Sequence, residues 1–275
     1  MMGEDGSEEI TEKSLLSKTK LQRLFVFSAG ALTNILLGFV AMFVFCSTQP
    51  AYPSTVIYSV EGSVLEEHGV IQGDEIVEIQ GTKIRIASDI SDVVMMNGSK
   101  PLDITFLRNG ETFRAEGVVF PSIVNDGVEI GVTDFVLYSL RRSFGELIRQ
   151  TVYGALGAIK LVFSSFRLLI SGEYGMEAVS GPVGTVQVVA QAASMGWRTL
   201  LYFFVIISMN LGVFNLLPFP ALDGGQILFL GVEAVIGRPV SQKIYSVITA
   251  VGFGFLMLLV VFVTYKDIVK MIIGG

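Results

Sequence analysis

The residues best suited to chemistry lie in Asn215-Leu-Leu-Pro-Phe-Pro-Ala-Leu-Asp223-Gly-Gly225, which closes an uncharged apolar run that begins at Thr199. A carboxylate at the edge of a run long enough to cross hydrocarbon is costly, so such groups usually have a partner, a wet cavity or a cation. Asp223 is therefore a functional candidate by default. Two other readings stand beside it: a proton or ion site of a transporter, and a simple cap on a helix beginning near Gly224. Pro218 and Pro220 end the preceding helix. The irregular backbone they leave is tolerated at membrane depth when it lines a protein cavity.

The elements that must position this stretch follow from composition. The chain has 275 residues, 51% hydrophobic and 16% charged, with a mean hydropathy of +0.64. That is too apolar for an ordinary soluble domain and reads as an integral membrane protein in a lipid bilayer. A net charge of -6 and the lack of an aromatic-basic motif argue against nucleic acid as a partner. The single cysteine, Cys46, lies in an apolar run and reads as a small buried hydrophobe.

Residues 1–23 form a charged lead-in that contains no cleavable signal peptide. Residues 24–47 form the first expected span, uncharged from Leu24 to Cys46. Lys13, Lys18, Lys20 and Arg23 precede it, which predicts a cytoplasmic N-terminus. Within it, Ser28-Ala-Gly-Ala-Leu-Thr-Asn34 collects small and polar residues. These serve either close helix packing or a substrate-facing role for Asn34.

Residues 55–120 predict a β-rich domain. Strands are expected at Thr55–Val60 and Glu75–Gln80, a helix capped by Ser88 and running through Met96, and a hairpin across Asn109-Gly110. Residues 144–170 are apolar with one charged and polar stripe at 146, 149, 153, 160, 164 and 167, which predicts an amphipathic helix lying in the membrane interface. Spans are expected at 199–218 and 244–265. This count puts Asp223 on the cytoplasmic side and the β-rich domain outside. Three spans with no inverted repeat weigh against the transporter reading. The expected fold is a multi-pass α-helical membrane protein with an inserted β-rich domain.

The stretch Asn215 to Gly225 resembles the Asn-x-x-Pro-x-Pro-x-Leu-Asp-Gly signature of the site-2 protease family of intramembrane zinc metalloproteases. Further pieces resemble the family in the same order: Met2-Gly-Glu-Asp5, the helix from Arg23 to Asn34, Ser180-Gly-Pro-Val-Gly184 and Gly237-Arg-Pro-Val-Ser241. The inserted domain resembles a PDZ domain of the bacterial protease type, with Gly69, Gly73 and Asp74 in its characteristic loop. Such domains bind extended peptides at a sheet edge. The resemblance implies zinc as cofactor, Asp223 as third zinc ligand, and Asn34, Asn215 and Pro218 as substrate-binding residues. It also implies regulated intramembrane proteolysis of a single-span protein such as an anti-sigma factor, with the PDZ-like domain as size filter or docking site.

One departure is large. The family's other ligands and general base come from His-Glu-x-x-His on a helix, and this chain has one histidine, His68, in the β-rich stretch. Ala31 and Gln226 are smaller departures. In the family that helix lies upstream, so the expectation is an N-terminally incomplete protease that is inactive as given. The competing expectation is a pseudoprotease that holds membrane-anchored clients without cutting them.

Overall fold

The computed structural model describes residues 18–125, 128–172, 175 and 179–273. The Met2-Gly3-Glu4-Asp5 stretch and most of the lead-in lie outside these residues. The chain divides into two compact units, one of Met1–Gly38, Gly181–Val188 and Ile206–Gly275, the other of Phe39–Ser180 and Val189–Val205. Four helices are long and apolar enough to cross a membrane: α1 (Lys20–Ser47), α3 (Phe144–Ile170), α5 (Trp197–Leu216) and α7 (Gln242–Ile273). Three shorter ones are α2 (Ala87–Asn97), α4 (Pro182–Ser194) and α6 (Asp223–Ile236).

In the second unit, an antiparallel sheet runs in the order β5-β4-β2-β1-β8, with β3 (Thr82–Lys83) beside β2. Its strands are β1 (Tyr52–Ser59), β2 (Glu75–Ile79), β4 (Leu102–Arg108), β5 (Glu111–Val118) and β8 (Val136–Leu140). Asn109 and Gly110 both take positive φ at the β4–β5 turn, as a tight hairpin requires. Ile57, Ile76, Ile104 and Phe106 are buried at the centre, packed with Leu65 and Val94. The sheet reaches beyond 55–120 because β8 returns to pair with β1, after the separate hairpin of β6 (Ser122–Asn125) and β7 (Val128–Gly131). Helix α2 starts one residue before Ser88. Its first turn is held by Asp89, whose carboxylate accepts hydrogen bonds from the backbone N–H groups of Arg85 and Ile86.

Helix α3 is capped by Ser143, whose hydroxyl accepts from the Glu146 N–H. Its charged stripe runs beside the β-rich domain, with Arg149, Lys160 and Arg167 still exposed. Arg149 donates to the Arg85 carbonyl at 2.6 Å, the Arg85 guanidinium lies 5.2 Å from the Tyr153 ring centre, and Lys160, Ser164 and Arg167 line a cavity shared with α2. The stripe thus borders the β-rich domain over about 27 Å of helix, from Arg149 to Arg167, without being buried by it. The opposite face leaves Ile148, Val152, Leu156 and Phe163 exposed.

Asp74 holds the loop that precedes β2. Its buried carboxylate takes Nε and Nη2 of Arg108 at 2.7 Å each and the Ile71 N–H at 2.8 Å, while Arg108 also donates to the Gly69 carbonyl. Gly69 and Gly73 have φ of 73° and 95°, and β1 closes the loop through Gly73 N–H to Ile57 O and Ile57 N–H to Asp74 O. Burial alone would raise the Asp74 pKa. The hydrogen bonds from Arg108 and Ile71 outweigh it, so the value lies below the usual carboxylate range. A lowered folded pKa gives stability that is present above the unfolded value of about 3.9 and lost as pH falls through the folded one. Asp74→Ala is expected to destabilise the β-rich domain by about 1–3 kcal/mol at neutral pH, and the gap from wild type should close in acid, as read by thermal unfolding across pH.

Candidate functional site

Helix α5 ends at Leu216, and residues 217–222 turn back over the start of α6. Phe219 N–H donates to Leu217 O at 2.7 Å, and Leu222 N–H to Phe219 O at 3.1 Å. Pro218 and Pro220 contribute no N–H, so the turn cannot continue as helix. Ala221 has a φ of 81°, a left-handed conformation that a residue with a Cβ adopts only when its surroundings impose it.

Those surroundings are identifiable. A Cβ on Gly224 would collide with the carbonyls of Leu216 and Leu217, and one on Gly225 with the carbonyl of Phe219. A Cβ on Gly252 of α7 would lie 2.6 Å from Pro220 O. The two glycines after Asp223 let the turn pack on the first turn of α6, and Gly252 lets α7 close over it. Asp223 therefore enters α6 as its first residue, with its orientation fixed by backbone contacts on both sides. Leu222 is the N-cap residue, and no side-chain capping hydrogen bond is made there. Among the described residues the Asp223 carboxylate forms no hydrogen bond or ion pair. The capping explanation of this carboxylate does not hold.

Helix α1 supplies the floor. A Cβ on Gly30 would lie 3.2 Å from Oδ2 of Asp223. Asn34 stands one turn further on the same helical face as Gly30, half-buried, and its backbone carbonyl accepts from the Ser208 hydroxyl at 2.8 Å. Gly212 of α5 packs against Ala31 O and Ile35, and Met209 fills the space beside Gly38. The small and polar run in α1 thus serves close packing against α5 and admits the Asp223 carboxylate at Gly30. Asn215 is half-buried in the last turn of α5 and Pro218 is exposed in the turn. Asn210, one and a half turns before Asn215, has a buried Oδ1 with no hydrogen-bond partner.

Two contacts missed in the sequence hold this unit together. Glu233 near the end of α6 pairs with Arg23 of α1 at 2.9 Å and accepts from the Val240 N–H, while Lys20 donates to its carbonyl. Asp267 of α7, also buried, accepts from the N–H groups of Gly181 and Gly184 at 2.9 and 2.8 Å and so caps α4 from another helix. Pro182 at the first position of α4 and the lack of a Cβ at Gly181 make that approach possible. In the sequence, Glu233 lies in an apolar segment and Asp267 beside Lys266, with nothing to mark their distant partners.

The donor set does not make a zinc site by itself. A catalytic zinc needs three protein ligands and an open position. Among the described residues no group of three or more His, Cys, Asp or Glu side chains converges, and His68 is engaged with the Val64 carbonyl in the β-rich domain. Replacing Gly224 by Ala is expected to displace the turn and cost about 1–3 kcal/mol in thermal unfolding of the full chain, whereas Asp223→Asn should leave the melting curve close to wild type.

The model of peptidase family M50 matches residues 1–259. The zinc metalloprotease RasP of Shouchella clausii is 32% identical over 93% of this chain, and the regulator of sigma-W protease RasP of Bacillus subtilis is 31% identical over 93%. A Clostridium perfringens protein is 31% identical over 98% of the chain and 79% of its own length. The chain spans 61% of the length of each of the two RasP proteins.

Proposed function

The chain belongs to peptidase family M50, and from that premise we propose that it carries the third-ligand half of a site-2-type intramembrane zinc protease acting on single-span membrane proteins. The observation that carries this reading is Asp223. Its carboxylate is buried to an intermediate degree in an apolar helical unit, beside Gly224, Gly225 and Gly30, and has no hydrogen-bond or ion-pair partner among the described residues. The other two ligands and the general base come from a His-Glu-x-x-His helix outside these 275 residues. Zinc bound by the completed set supplies an activated water.

The chain's own residues then have positioning roles. Asn215 and Asn34 offer side-chain amides beside the turn, and Pro218 keeps the turn from becoming helix. Together they favour a substrate strand that must pair with something once its helix is unwound. The protein is a multi-pass membrane protein with a cytoplasmic N-terminus and Asp223 on the cytoplasmic side. Helix α3 lies in the membrane plane, because a helix with an exposed charged stripe along most of its length, bordered by a water-facing domain, is poorly placed to cross hydrocarbon. The β-rich domain lies outside and acts as a PDZ-like docking module. Of the two edge strands, β5 and β8, β8 pairs with β1 alone among the described residues and exposes Val136 and Tyr138, so a client peptide adds there as a strand. Gly69, Gly73 and Asp74 shape the loop next to β1 and support that edge, with Asp74 already occupied by Arg108. The name of the Bacillus subtilis relative ties it to sigma-W regulation, which makes an anti-sigma factor the favoured client.

A second reading is a pseudoprotease that holds clients through the same β8 edge, favoured by the single Asp223 donor among the described residues. The two separate in one experiment. Co-expression with a membrane segment carrying His-Glu-x-x-His is expected to restore cleavage of a single-span client trimmed outside, and Asp223→Ala should reduce it by about a hundredfold or more. Clients that co-purify but stay intact with the segment present would favour the pseudoprotease.

A further inference from the structure

The charged stripe of α3 and the acidic side of α2 enclose a cavity of about 550 Å³, within the span of roughly 300–1,000 Å³ common for small-molecule sites. Lys160 and Arg167 line it from α3, Asp92 and Asp89 from α2. Asp89 is committed to the Arg85 and Ile86 N–H groups. Lys160, Arg167 and Asp92 make no hydrogen bond or ion pair among the described residues. Two exposed cations on α3 thus face a half-buried carboxylate on α2 across one cavity, and Lys160 acts on Asp92 through charge alone, with no hydrogen bond between them.

The cavity's surroundings indicate the class of partner. Asp92 is within electrostatic reach of Tyr202 on α5, and Gly154 of α3 packs against Met42 near the end of α1, so the cavity sits beside membrane helices. Phe163 and Leu168 line its rim, next to the exposed apolar face of α3. A ligand must therefore present an anion to α3, a hydrogen-bonding cation to α2, and an apolar body toward the bilayer. We propose that this cavity binds the headgroup of a phosphoethanolamine lipid, its phosphate on Lys160 and Arg167 and its primary ammonium on Asp92. Such a lipid would bridge the β-rich domain to the membrane through the gap between α2 and α3. The inference is independent of whether the chain takes part in proteolysis.

Burial raises the Asp92 pKa, the neighbouring Asp89 raises it further and Lys160 lowers it in part, leaving it at about 6. Arg167 and Lys100 also line the cavity. The bound ammonium needs the ionised carboxylate, so lipid retention should weaken as pH falls through about 6.

The test is native mass spectrometry of the full chain released from nanodiscs of phosphatidylethanolamine, phosphatidylglycerol and phosphatidylcholine in equal parts. Wild type is expected to retain one phosphatidylethanolamine per chain. Lys160→Ala with Arg167→Ala should reduce retention about tenfold, while Lys160→Arg preserves it and shows that charge rather than folding is at issue. Asp92→Asn should shift the retained lipid to phosphatidylglycerol. Equal retention by wild type and the double variant would overturn the proposal. So would phosphatidylcholine held as well as phosphatidylethanolamine, soluble phosphoethanolamine displacing the lipid at equal concentration, or occupancy by a client's charged segment instead of lipid.

Discussion

The structure of the first unit depends on bringing backbone close to backbone around one carboxylate. Asp223 can stand at the start of α6 only because Gly224 and Gly225 admit the preceding turn, Gly30 admits the carboxylate itself and Gly252 admits Pro220. The contacts of Gly224, Gly225 and Gly252 replace a side chain by van der Waals contact with main chain, which is how helices associate where lipid removes the hydrophobic drive. The strained φ at Ala221 belongs to the same constraint. A turn this tightly enclosed keeps its non-helical form with only a few local hydrogen bonds of its own, such as Phe219 N–H to Leu217 O. It ends beside a carboxylate that has no hydrogen-bond partner among the described residues.

The second unit is organised by pairing rather than by close approach. The Asp74–Arg108 bridge fixes the loop before β2, and the α3 stripe is matched to α2 and the Arg85 carbonyl. Asp74 and Asp89 are satisfied within the domain. The opposite face of α3 is apolar and exposed. Lys160, Arg167 and Asp92 meet at the cavity between α2 and α3.

Much of this was legible in the sequence where a signal was local. Asn109-Gly110 specified its hairpin, Pro218 and Pro220 ended α5, and the 215–225 signature indicated the family. What was not legible depended on distance along the chain. Strand β8 is recognisable only through its partner β1, some eighty residues earlier. Glu233 and Asp267 look like isolated charges until Arg23 and the α4 N-terminus meet them. The stripe on α3 was visible, but sequence periodicity says which residues share a face and not what covers it. The surface beside it is the β-rich domain, from which Arg85 and α2 approach the stripe.

The central claim is that Asp223 is one ligand of a zinc site completed from outside these 275 residues. Zinc titration of the purified chain, alone and after assembly with a His-Glu-x-x-His segment, tests it most directly. The account predicts no tight stoichiometric zinc in the chain alone, and one zinc per assembly that is lost with Asp223→Ala. Tight binding to the chain alone that disappears with Asp223→Ala, or binding by the assembly that survives it, would contradict the account.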